Sequence, residues 1–106
     1  MPKETTIKLT GRIGGDYDFD VYAWNTSFQS LGAVYVVLRK RYATNFSVLY
    51  IGQTGDLSRR FDDHHQQSCF DRNGKTHIGI HPKPTETKRF EIESDLLGNY
   101  TTMCND

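Results

Sequence analysis

The sequence predicts an α/β (α+β) domain with a small, mostly antiparallel central sheet flanked by helices. Three observations carry this expectation. Two alternating polar and apolar runs near the start are separated by Gly14-Gly15-Asp16, as in a hairpin. Two stronger runs of β-branched and aromatic residues follow, Ala33-Val34-Tyr35-Val36-Val37-Leu38 and Val48-Leu49-Tyr50-Ile51-Gly52. Beyond Gly52 the pattern turns helical, giving the order ββ and then ββαβα.

Taken along the chain, Thr5 to Thr10 and Asp18 to Tyr22 form the first hairpin, and Trp24 to Leu31 is loop. Ala33 to Leu38 is apolar throughout, which marks a strand buried on both faces. Gln53-Thr54-Gly55 turns the chain into a helix over Asp56 to His65 with an acidic first turn. Leu57, Phe61 and one of His64 and His65 mark its inner face, and Arg60 and His64, four apart, share a side. A polar loop containing Asn73-Gly74 leads to a strand over Thr76 to Ile80. Pro82 and Pro84 end that strand, and Thr85 is placed to cap the last helix. Within Arg89 to Tyr100, helical spacing puts Phe90, Leu96, Leu97 and Tyr100 in one stripe with Glu93 in its middle. A carboxylate on such a face costs on the order of several kcal/mol unless an arginine or a metal ion pairs with it.

The chain has 106 residues, about a quarter of them charged, which suits one globular domain. No apolar run is long enough to span a bilayer, and no secretory leader is evident. Cys69 and Cys104, without such a leader, are expected to be free thiols, and a cytoplasmic location follows from that. The net charge is zero, which argues against a strong non-specific grip on nucleic acid. The basic residues nevertheless cluster, at Arg39-Lys40-Arg41, Arg59-Arg60 and Lys83 with Lys88-Arg89. Such clusters are commonly solvated faces; lined along one groove, they would hold a phosphate backbone. Asp62, Asp63 and Asp95 read as solvated charges. His64, His65, Cys69, His77, His81 and Cys104 lack the paired spacing of a structural zinc site.

An ordered set of these residues resembles the GIY-YIG nuclease superfamily over residues 32 to 105. Ala33-Val34-Tyr35 stands where that family has Gly-Ile-Tyr, and Tyr50-Ile51-Gly52 matches the second half. Arg60, ten residues past Tyr50, takes the place of the family's catalytic arginine, and His64 that of a histidine found in some members. Glu93 matches the metal-binding glutamate, followed at the family's spacings by Leu96, Leu97, Tyr100 and Asn105. There are three departures. Gly32 is displaced by one position, the segment between Tyr35 and Tyr50 is lengthened around Arg41 to Asn45, and Gln53 stands where some members carry lysine.

The resemblance implies a GIY-YIG-like fold. Residues 32–106 would form the nuclease-like part and residues 1–31 an added N-terminal β-hairpin, all in one compact domain. It implies a metal-dependent endonuclease acting on DNA. Glu93 would hold Mg²⁺ or Mn²⁺ as a Lewis acid, Arg60 would neutralise the transition state, and Tyr35 or Tyr50 would activate water with help from His64. Gly52 and Asn105 would support the site, Asn105 by tying the C-terminal segment to it. Targeting to a sequence or lesion is expected to come from a protein partner or to be weak. Two other readings stand beside this one: a non-catalytic nucleic-acid or protein-binding module, and a structural domain in which Arg60 and Glu93 form a buried ion pair.

Overall fold

The computed structural model describes residues 3–43, 45–61 and 64–105. Its strands are β1 (Thr5–Thr10), β2 (Asp16–Ala23), β3 (Ala33–Tyr42), β4 (Asn45–Thr54) and β5 (His77–Pro82). The helices are α1 (Leu57–Arg60), α2 (Gln67–Arg72) and α3 (Glu86–Leu97). All five strands join one antiparallel sheet in the order β1-β2-β5-β3-β4. β1 pairs with β2 across Gly11 to Gly15, where Gly14 adopts a φ of 93° that only glycine takes readily. The far edge of β2 pairs with β5, so residues 5–23 continue the same sheet.

Alternation along β3 decides how the core divides. β5 and β4 flank this strand, and Ala33 to Leu38 are wholly buried. Val34, Val36 and Leu38 point to one face, with Ile51, Phe19, Val21 and Leu9, and α3 covers them with Ile92 and Leu96. Ala33, Tyr35 and Val37 point to the other face, with Tyr50, Ile78 and Ile80, under Leu57 of α1 and Phe70 of α2. A bulge between Val37 and Leu38 sets Leu49 out of register and brings both Leu49 and Tyr50 to this second face.

Several expectations are corrected. The helix expected over Asp56 to His65 stops at Arg60. Asp56 caps it, accepting from the Ser58 amide at 3.0 Å, and Phe61 then turns inward against Trp24 and Tyr35. The next residues, Asp-Asp-His-His, are poor helix formers, so these tertiary contacts prevail over the helical pattern. Asp62 and Asp63 lie outside the described residues. The polar loop expected before β5 contains α2. Gly74, with a φ of 76°, ends that helix while the amides of Gly74 and Lys75 bond back to the carbonyls of Asp71 and Phe70.

In α3 the buried stripe is Arg89, Ile92 and Leu96, whereas Phe90 and Leu97 are exposed. Thr85 takes the N-cap position without a side-chain cap bond. Asp95 is engaged, accepting from the Ile13 amide at 2.8 Å and the Tyr17 hydroxyl at 2.7 Å. These bonds fix the β1–β2 turn to α3 and hold the Asp95 carboxyl below the usual carboxylate range.

Cys69 and Cys104 are not free thiols: they form a disulfide that joins α2 to the C-terminal segment. The pairing removes the free-thiol reasoning behind a cytoplasmic location. No helix among the described residues is long and apolar enough to cross a membrane.

Candidate active site

The site begins with a glycine. In the β3–β4 register Tyr35 lies opposite Gly52, and Val37 opposite Tyr50. A Cβ at Gly52 would sit 2.7 Å from the Tyr35 hydroxyl and 2.7 Å from the Tyr50 ring. Only glycine leaves both rings room, and they stack with centroids 6.0 Å apart at 29°.

The Tyr35 hydroxyl is the hub. Arg60, in the last turn of α1, donates to it through Nε at 2.8 Å, and His64 Nε2 lies 2.7 Å away. Burial, then the charges of Arg60 and His65, push the His64 pKa down to about 4, so the ring is neutral at pH 7. Its Nδ1 accepts the Gln66 amide at 3.0 Å, which puts the single ring proton on Nε2. Tyr35 therefore accepts from both Arg60 and His64. Burial holds the Tyr35 phenol well above the usual range, although the Arg60 bond pulls the other way. Arg60 and His64 do meet, as their spacing implied, but at Tyr35 and not as neighbours on one helix.

Tyr50, almost buried, opens on a cleft of about 350 Å³ lined also by His65, Gln66, Leu97, Cys104 and Asn105. Asn105 makes a two-bond clip on β4: its Oδ1 accepts the Ile51 amide at 2.7 Å and its Nδ2 donates to the Ile51 carbonyl at 2.9 Å. The Cys104 amide bonds the Leu49 carbonyl at 2.9 Å, so the segment brackets Tyr50 from both sides.

Glu93 comes from α3, one turn before Leu97 and on the same side of that helix. It is half-buried, and burial raises its pKa while the charge of Arg60 lowers it. Glu93 is thus near enough to feel Arg60, yet among the described residues the two form no ion pair. The buried-pair reading has no such contact to stand on. Gln53 does not face the hub: it accepts from Nε of Arg89 at 3.0 Å, and Arg89 also bonds the carbonyls of Lys83 and Pro84.

Among the described residues no three His, Cys, Asp or Glu side chains gather as a metal cage. A lone, half-buried carboxylate remains a donor set that Mg²⁺ accepts when phosphate oxygens and waters complete its shell. Sequence reasoning put Phe61 and one of the two histidines on an inner face, but it did not assign to the site His65, which stacks on His64 at 4.5 Å and reaches Tyr50, or Phe70, which completes an aromatic wall with Phe61. The pairing of adjacent histidines after a glycine-bounded helix start was the available signal. Comparison with family models, with curated proteins and with solved structures returned no match.

Proposed function

We propose that this chain is a metal-dependent endonuclease that hydrolyses phosphodiester bonds in DNA, of the GIY-YIG type its motif resembles. The observation that supports this best is the convergence of Arg60 and His64 on the Tyr35 hydroxyl, with the Tyr50 ring stacked beside it and the Arg60 charge felt at the half-buried Glu93 carboxylate. Arg60 uses Nε on Tyr35, which leaves its two terminal nitrogens to fork onto phosphate oxygens and neutralise charge in the transition state. Tyr35 is buried and stays protonated, so it positions Arg60 and Tyr50 and does not meet water. Tyr50, bordering the cleft, is the tyrosine that touches the attacking water. Glu93 is the residue to hold Mg²⁺ or Mn²⁺, which when bound supplies Lewis-acid charge at the phosphate and the departing oxygen.

A second reading, a non-catalytic binding module on the same scaffold, is favoured by one feature. Both donors that face Tyr35 are already satisfied within the protein. Incubation with plasmid in Mg²⁺, Mn²⁺ or chelator separates the two. The nuclease reading expects metal-dependent nicking, lost in Glu93→Gln and reduced about a thousand-fold in Arg60→Ala. DNA binding without nicking, unchanged in Glu93→Gln, supports the module instead.

A further inference from the structure

The two halves of the chain carry opposite charge patterns that the zero total conceals. No Asp or Glu occurs between Asp20 and Asp56, a span that holds all of β3 and β4. Within it, Arg39, Lys40 and Arg41 are consecutive and exposed, and Tyr42 follows, 70% exposed. Among the described residues no ion pair involves any of these three cations.

The same residues leave the body of the sheet. β5 covers β3 only from Ala33 to Leu38, and a bond from the Lys40 amide to the Thr76 hydroxyl, 2.7 Å, is the last link to that side. Further out, β3 is paired with β4 alone, Lys40 facing Phe46 and Tyr42 facing Asn45, with Arg41 bulged between them. The bulge tightens the right-handed twist of this two-stranded arm. Arg39 follows Val37 onto one face, against Gly74, and Lys40 takes the other.

We infer that this arm enters the major groove of duplex DNA, Arg39, Lys40 and Arg41 contacting the phosphates that border it. The inference rests on the reading of DNA as substrate and names the form of DNA that is held. A two-stranded ribbon fits a groove about 12 Å wide, and a groove presents phosphate on both sides. Cations on both faces of the ribbon match that arrangement; a flat anionic membrane would meet one face only. Phe46, at the base of the arm, lies four residues along β4 from Tyr50, about 13 Å.

The test is binding of the full chain to a fluorescent DNA duplex, followed by anisotropy in chelator so that no cleavage is needed, across a salt series. Arg39→Gln/Lys40→Gln/Arg41→Gln is expected to weaken binding about a hundred-fold at 0.1 M salt and to lower the log–log salt slope by about two to three. Arg39→Lys/Arg41→Lys retains binding, since lysine keeps the charge. An RNA duplex, whose major groove is deep and narrow, binds markedly more weakly. Should the triple variant lose thermal stability, Arg41→Gln alone still lowers the slope by about one. Unchanged affinity and slope overturn the inference, as does equal binding of DNA and RNA duplexes, or binding to phosphatidylserine vesicles with none to DNA. Arm-dependent duplex binding without plasmid nicking removes the nuclease reading and leaves the arm standing.

Discussion

The two faces of the sheet are built from different material. Beneath α3 the core is mostly aliphatic, Val34, Val36, Leu38, Ile51, Ile92 and Leu96 with Phe19, and its contacts are non-directional. On the opposite face Tyr35, Tyr50, Phe61, Phe70 and Trp24 pack with His64, and their orientation is set by hydrogen bonds and a disulfide. The first arrangement holds the sheet together; the second holds particular atoms at particular distances. On the second face a hydroxyl, a guanidinium and an imidazole meet inside a wall of rings, and their mutual distances are fixed accordingly.

Four perturbations sharpen this contrast, beginning with the strongest. Reducing the Cys69–Cys104 bond, which closes a loop with a sequence separation of 35, is expected to cost about 4 kcal/mol, measured by urea unfolding with and without a dithiol. Leu96→Ala, at a fully buried position of the aliphatic face, should cost about 3 kcal/mol, and under the nuclease reading the folded variant should nick plasmid at the wild-type rate below its melting temperature. Tyr35→Phe reverses that pattern. It leaves the donors of Arg60 and His64 without their acceptor, costs about 2 kcal/mol, and should abolish nicking even where the protein is folded.

The last is a pH effect. Unfolded, His64 titrates near its ordinary 6.5, and folded near about 4, so below 6.5 the unfolded chain binds the extra proton. The stability this group contributes is complete above 6.5 and falls by roughly 3 kcal/mol as the pH drops to about 4. Glu93, whose pKa is raised, acts in the opposite sense and favours the folded state as it protonates. A His64→Asn variant should therefore lose less stability than wild type over this window; an equal loss in both would place the effect elsewhere.

Much of this was legible beforehand. The alternation of Thr5 to Thr10, the unbroken apolar run of β3 and the Tyr-Ile-Gly of β4 pointed to their strands, because a side chain's face follows directly from its position in a strand. The face of α3 was less certain. Successive helical positions differ by about 100°, so the adjacent Leu96 and Leu97 offered two stripes, and a buried Arg89 on the true one does not look like core. α2 is six residues long, and just two of them, Cys69 and Phe70, are buried. Its only clear mark was Asn73-Gly74, which reads equally as a loop and as the end of a helix. The disulfide, and the proton arrangement at Tyr35, depend on contacts between segments distant in sequence and could not be read from local pattern.

The Asn105 clip on Ile51 has a consequence for how molecules of this protein meet one another. β4 is the outermost strand on its side of the sheet, and its free peptide groups would invite a strand from another copy to add on. An amide side chain that occupies the donor and the acceptor of Ile51 imitates such a strand without being able to propagate, and thus guards against end-to-end growth of the sheet.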